Sequence, residues 1–138
     1  MKYLVDTNII SEMTKAKPNK GVAKWFSSNF ETDMFISVMS IGEIVFGIEK
    51  LTDENRKMKL SAWLDDVIEN GFSGRIIDID TDVMTTWGKM SAKLPRSLQT
   101  QDTLIAATAI AYNMTIITRN VKDFEDIPNI KIFNPWED

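Results

Sequence analysis

Four acidic residues of this 138-residue chain are expected at or just past strand ends: Asp6 in LVDTN, Glu43 in SIGE, Asp102 in QDTLIAATAIAYN and Asp123 in TRNVKDF. Each has an adequate structural role when taken alone. Asp6 fits a helix N-cap, its carboxylate accepting from a free backbone N–H. Glu43 completes the S-x-x-E capping box begun by Ser40. Asp102 opens an apolar helix and complements its dipole, worth about 0.3–1 kcal/mol. Asp123 lies three residues after Asn120, again the spacing of a capping box. The four together have a second reading, because strand ends in a parallel sheet gather at one rim. Carboxylates brought together either rise in pKa or recruit a cation. The chain contains no histidine and no cysteine, which excludes imidazole acid–base catalysis, Ser-His-Asp triads, thiolate nucleophiles and thiolate-bound metals. The matching cation is then a hard one bound through oxygen, Mg²⁺ or Mn²⁺. One or two such ions suit phosphodiester hydrolysis, lowering the pKa of water, aligning it with phosphorus and offsetting charge on the leaving oxygen.

The elements that must position these acids are legible as short apolar runs alternating with helical spacing. Lys2 to Val5 predicts a buried strand, followed by a helix from about Thr7 to Lys15. Pro18 and Gly21 mark a turn, and a second helix passes through Val22 to Phe26 before a strand at Met34 to Val38. Ser40 opens a helix to about Leu51, and an amphipathic pattern runs from Glu54 to Glu69, ended by Gly71. Arg75 to Ile79 is the third expected strand. Asp80 or Thr81 caps a helix reaching Leu94, stopped by Pro95. The helix opened by Asp102 follows. Thr115 to Thr118 is the fourth strand, Asn120 to Phe124 a short helical turn, and Ile130 to Phe133 the last strand. Such alternation predicts an α/β fold with a parallel sheet covered on both faces, whose sites lie beyond the carboxyl ends of the strands. In the Asp102 helix, Leu104, Ile105, Ala106, Ala107, Ala109, Ile110 and Ala111 cover every side, which predicts burial against the sheet.

Length and composition place the chain as one globular domain, residues 1–138, with a core of its own. It is 43% hydrophobic and 26% charged, contains no apolar run of membrane-spanning length, and begins without the long apolar stretch of a signal peptide. We read it as cytoplasmic, with no membrane association. A net charge of −4, from 16 basic and 20 acidic residues, argues against a protein that coats nucleic acid by bulk charge. A selective nucleic-acid enzyme remains compatible with it. Basic residues cluster locally at Lys15, Lys17 and Lys20, at Lys89, Lys93 and Arg96, and at Arg119 and Lys122, which reads as solvated faces.

In order and interval, LVDTNIISE, SIGEIVFGIEKL, DTLIAATAIAYN and TIITRNVKDF together resemble the PIN-domain ribonucleases, more narrowly the VapC-type toxins of type II toxin–antitoxin pairs. The resemblance covers nearly the whole chain. It implies a PIN-like three-layer fold, a mostly parallel sheet of about five strands with helices on both faces. It also implies a Mg²⁺-dependent endoribonuclease whose catalytic acids are Asp6, Glu43, Asp102 and Asp123. In that scheme Asp6 and Asp102 hold the principal Mg²⁺, Glu43 completes its surroundings, and Asp123 binds a second ion or positions water. Asn8 orients Asp6 or binds a metal-held water, with a helix-start role as the alternative. Thr118 and Asn120 match the family's T-x-[ND] stretch, although many relatives carry aspartate where this chain has Asn120. Arg119 and Lys122 are candidate contacts to the RNA backbone, or plain surface charges. Attack by metal-activated water leaves a 5′-phosphate and a 3′-hydroxyl. The family further implies a homodimer and a cognate antitoxin whose peptide enters a groove leading to the acids. Trp25, Phe26, Phe46 and Trp63 either line that groove or pack in the core and between copies; the eight methionines and remaining tryptophans are read as packing.

Three other classes compete. A PIN fold that only binds RNA or a partner keeps the architecture without catalysis. A receiver-like phosphorylatable signalling domain shares the layout, but receivers carry paired acids after the first strand and a lysine after a late one, whereas LVDTN has one acid and TIITRN no lysine. An aspartyl-nucleophile phosphatase wants D-x-D, and here the second position is Asn8.

Overall fold

Each expected strand is a short β-branched or aromatic run, and each forms. The computed structural model describes residues 1–95 and 97–137; Arg96, grouped above with Lys89 and Lys93, lies outside them. The strands are β1 (Tyr3–Val5), β2 (Met34–Ser37), β3 (Ile76–Ile77), β4 (Thr115–Ile117) and β5 (Ile132–Phe133). They make one five-stranded sheet in the order β3-β2-β1-β4-β5, with every registered pair parallel. That order differs from the 2-1-3-4-5 sheet of receiver domains. Chain direction reverses its walk across the sheet between β1 and β4, which places the switch point at the carboxyl ends of those two strands.

Alternation along the strands divides the core into two layers. Leu4 and its register partner Ile116 face one way, into a cluster with Val83, Ile105, Ala106 and Phe124. Val5 and its partner Ile117 face the other way, packing with Ile9, Ile10, Val22, Trp25 and Ile36. Six helices supply the covers: α1 (Thr7–Glu12), α2 (Lys20–Ser28), α3 (Val38–Glu49), α4 (Glu54–Asp66), α5 (Thr81–Ser91) and α6 (Thr100–Ala111). Helices α5 and α6 cover the Leu4 face, and α1 and α2 cover the Val5 face. Helix α4 continues through a wider turn, Val67–Gly71, and packs on α3 through Ile44, Ile48 and Leu64. None of these helices is long and apolar enough to cross a membrane.

Helix starts follow side-chain capping. Asn19 Oδ1 accepts from Gly21 and Val22, Asp53 Oδ1 from Asn55 and Arg56, and Asp80 Oδ1 from Val83. One start differs from expectation. Helix α3 begins two residues before Ser40, capped by Ser37, whose Oγ accepts the Met39 N–H at 3.0 Å. Ser40 is therefore buried within the first turn and the capping-box reading of Ser40 and Glu43 does not hold. Ser37 follows the apolar strand directly, so its hydroxyl meets the free N–H groups first. Helix α6 is buried as its composition predicts, with Ala106 and Ala107 at 0% exposure. Its start has no side-chain cap, and Asp102 occupies the first turn.

Candidate active site

Asp6 leaves β1 at the switch point and is buried, held by three donors from two chain segments. Its Oδ1 accepts the Thr7 N–H at 2.8 Å; its Oδ2 accepts the Thr118 hydroxyl at 2.7 Å and the Asn8 amide at 3.3 Å. Thr118 is wholly buried just past β4, and its Oγ1 accepts in turn from the Asn120 N–H at 3.0 Å and the Asn8 amide at 3.3 Å. Asn8 Oδ1 closes the mesh by accepting the Arg119 N–H at 3.2 Å. The loop after β4 is thereby stitched to the loop after β1, and the carboxylate between them is oriented before any ligand arrives.

Glu43 reaches the same place from the second turn of α3, half-buried, with the Thr7 hydroxyl 3.5 Å from its Oε2. Freed from any capping duty, it projects from α3 toward Asp6. Asp102, expected beside a strand end, arrives instead from the first turn of α6, which follows α5 directly in the order of elements. Asp6, Glu43 and Asp102 share the wall of one cleft of about 420 Å³ with Asn8, Arg119 and Asn120. Asp123, exposed on the short turn after Asn120, lines an adjoining hollow of about 240 Å³ with Lys122, and Asp102 borders both. No side chain caps the Val121–Asp123 turn, so the capping reading of Asp123 falls as well.

The charges feel one another. Burial pushes the Asp6 carboxyl up, against the pull of the Thr118 and Thr7 hydrogen bonds, with Asp123 adding to the rise. Burial raises Glu43, and the charges of Asp6 and Asp102 raise it further. Asp102 is pushed up to about 6, by burial first and then by Asp123 and Asp6. Among the described residues the ion pairs are Lys15–Glu12 and Lys57–Glu49, so none of these four acids has a cation at pairing distance. Also among the described residues, no three acidic side chains converge into a closed metal-ligand set. The donor chemistry still fits a hard ion. Mg²⁺ keeps several waters and is commonly held by one or two carboxylates plus substrate oxygens, and half-buried carboxylates of raised pKa are short of positive charge.

Sequence reasoning missed part of the cleft. Thr7, Ser11, Glu12, Lys15 and Trp136 also line it. Asn8, Ser11 and Glu12 recur at helical spacing, a signal available in the sequence. Glu12 is buried and fully engaged: its carboxylate meets Lys15 Nζ at 2.8 Å and accepts the Asn19 N–H at 2.8 Å. The Lys15 contact comes first in holding its pKa below the usual range. Trp136 carried no local signal. Of the four candidate groove aromatics, Trp25 is core, Phe26 and Trp63 pack against it, and Phe46 alone is largely exposed, in a hollow it shares with Glu43.

Comparison with known proteins agrees with this architecture. Residues 3–130 match the PIN domain family. The chain is 30% identical to Toxin FitB of Neisseria gonorrhoeae over 98% of its own length and 99% of that protein. It is 31% identical to a tRNA(fMet)-specific endonuclease VapC of Shigella flexneri, over 95% and 96% of the two chains. The crystal structure of FitAcB from Neisseria gonorrhoeae superposes with a TM-score of 0.86 at 30% identity, covering 97% of this chain and 98% of that one. DNA-bound VapBC of Salmonella typhimurium superposes at 0.78 with 25% identity, covering 98% of each. A five-stranded parallel sheet with its acids at the β1/β4 switch point and this full-length likeness lead to one assignment: the chain belongs to the PIN-domain family, among the VapC- and FitB-type toxins of type II toxin–antitoxin systems.

Proposed function

We propose that this chain, read as a single PIN domain over 1–138, is a metal-dependent endoribonuclease toxin held in check by a cognate antitoxin. The observation that carries the reading is the cleft itself: Asp6, Glu43 and Asp102 are partly buried together, Asp6 raises the pKa of the other two, and among the described residues no cation stands at pairing distance from any of them. Such an arrangement costs stability unless a ligand of positive charge occupies it. The names of relatives support the substrate class, since one acts on tRNA(fMet). Relatives solved with DNA support a regulatory complex with an antitoxin, and a homodimer is the assembly we expect.

Asp6 and Asp102 are the proposed holders of Mg²⁺, or Mn²⁺, with Glu43 beside them and Asp123 at the adjoining hollow. When bound, the ion supplies a lowered pKa to water and a counter-charge to the phosphate oxygens. The residues of the chain do the rest. Thr118 and Asn8 hold the Asp6 carboxylate in one orientation through hydrogen bonds at 2.7 and 3.3 Å. Asn120 ties its own backbone to Thr118 and keeps the β4 loop closed over β1. Arg119 in the cleft and Lys122 in the adjoining hollow offer charge to the RNA backbone on either side of Asp102. Water attack at phosphorus leaves a 5′-phosphate and a 3′-hydroxyl.

Total RNA incubated with the purified protein, with Mg²⁺ or with chelator, tests the reading beside Asp6→Asn and Asp102→Asn. Mg²⁺-dependent cutting by the wild type alone is expected. Equal cutting by all three proteins, or cutting that survives chelation, would sink the metal–carboxylate mechanism. No cutting of any RNA leaves a binding module in its place.

A further inference from the structure

The carboxy-terminal turn, Pro135–Glu137, forms part of the cleft wall through Trp136. Its docking is specific. A Cβ at Gly21 would stand 2.0 Å from the Pro135 carbonyl oxygen, a distance no side chain tolerates, so only glycine at the start of α2 admits the turn. Asn134 Oδ1 then accepts the Trp136 N–H at 2.9 Å and sets the direction of the chain. Half-buried Trp136 packs on the Val5-side core, and the Arg119 guanidinium lies 5.3 Å from its ring centroid. Arg119 therefore leans on an indole although its cleft is lined by carboxylates, and its backbone is tied to Asn8. Two independent constraints, a glycine-dependent backbone contact and a cation–π contact, converge on the Arg119–Trp136 pair, which lines the same cleft as Asp6.

Aromatic rings and arginine planes are the surfaces on which unpaired RNA bases stack. Resting on the ribonuclease reading above, we propose that the Arg119–Trp136 pair is a nucleobase platform. An unpaired base next to the phosphodiester at the acids stacks on it, so the cleft accepts single-stranded RNA and disfavours duplex, whose bases are already stacked. Base stacking tolerates every base, so the platform selects for strandedness and leaves sequence preference to other surfaces.

Fluorescence anisotropy tests this in an Asp102→Asn background with Mg²⁺, the strands checked for integrity on a gel. The probes are an oligouridylate of about twelve nucleotides and an abasic sugar–phosphate strand of the same length and charge. The base-bearing strand is expected to bind about tenfold more tightly than the abasic one. Trp136→Ala should erase that ratio, Trp136→Phe should keep most of it, and Gly21→Ala should erase it with the indole still present. Circular dichroism and thermal melting establish that each variant is folded. A ratio unchanged by Trp136→Ala, or equal weakening of both probes, overturns the platform. The two readings fail separately: a wild type that cuts no RNA yet keeps the base-dependent ratio loses only the nuclease, whereas Mg²⁺-dependent cutting with no such ratio loses only the platform.

Discussion

Asp6 and Asp80 each follow a strand and cap the next helix, yet the fold gives them opposite electrostatics. Asp80 follows β3 at the sheet edge, where its carboxylate accepts from the Val83 N–H and from the Tyr112 hydroxyl. Those donors, Tyr112 first, hold its pKa below the usual carboxylate range. Asp6 follows β1 at the switch point, and although it too accepts hydrogen bonds, burial and the charge of Asp123 push it upward. Asp80 is surrounded by donors that stabilise its charge. Asp6 shares its cleft with two further carboxylates, Glu43 and Asp102. The difference teaches that a strand-end aspartate becomes a site when topology puts further carboxylates opposite it, since a cap by itself is a local and satisfied device.

The sharpest break of that comparison is catalytic. Asp6→Asn and Asp102→Asn should each lower RNA cleavage on the order of 10²–10³-fold, as loss of an electrostatic group at a reacting centre does, while Asp80→Asn should leave the rate within about twofold. Single-turnover cleavage assays measure both, and a large loss from Asp80→Asn would erase the distinction. Thr118→Val comes next. It removes the 2.7 Å hydrogen bond that pulls the Asp6 pKa down, and a decrease of about 10–100-fold is expected, as for the loss of a group that orients a metal ligand. The acid limb of the pH–rate profile should also move to higher pH; an unmoved profile would show that Thr118 acts only in packing.

Stability supplies the smaller effects, read by urea denaturation in chelator. The Asp102 carboxyl sits at about 6 in the folded protein against an ordinary 3.8. Its contribution is therefore fully present below about pH 4 and lost as pH rises through about 6. Asp102→Asn should then be more stable than wild type at pH 7.5 and equal to it at pH 4. The unscreened shift corresponds to about 3 kcal/mol, and screening at a part-exposed carboxylate reduces the expected gain to on the order of 1 kcal/mol. Saturating Mg²⁺ should stabilise wild type and not the variant, because a ligand raises stability only where it binds the native state.

Asp80→Asn should behave in the opposite sense. A depressed folded pKa gives stability that is present above the ordinary 3.8 and lost as pH falls through the lowered value. The variant's urea midpoint should lie slightly below wild type at neutral pH, with the gap closing in acid. A gap that widens on acidification would contradict the assignment of Asp80 as a satisfied cap.

Local pattern made much of this legible. The alternation of β-branched runs and helical spacing gave five strands and the helices between them, because a strand buried on both faces and a helix with an apolar stripe leave different periods in the chain. Helix α6 was readable as buried because Leu104, Ile105, Ala106, Ala107, Ala109, Ile110 and Ala111 cover every side of it, and the Thr108 hydroxyl among them is satisfied by the Leu104 carbonyl. Ends were less legible. Ser40 suggested a helix start that Ser37 takes instead, since competing hydroxyls three residues apart differ only in which meets the free N–H groups. Among the cleft residues, Glu12 had a helical-spacing signal beside Asn8, whereas Trp136 lies over a hundred positions along the chain from Asn8 and had none.

The sequence by itself determined that any chemistry here must run on carboxylates, hydroxyls, amides, lysine and arginine, because histidine and cysteine are absent, and that Asp6 stands just beyond a strand. Tertiary structure decided which acids meet. Only the order β3-β2-β1-β4-β5 sets β4 beside β1, bringing Thr118 to Asp6 and Arg119 to Asn8, and only the approach of Pro135 to Gly21 sets Trp136 against Arg119. Strand order and docking depend on packing between distant segments, which leaves no period or spacing in the residues that come to touch.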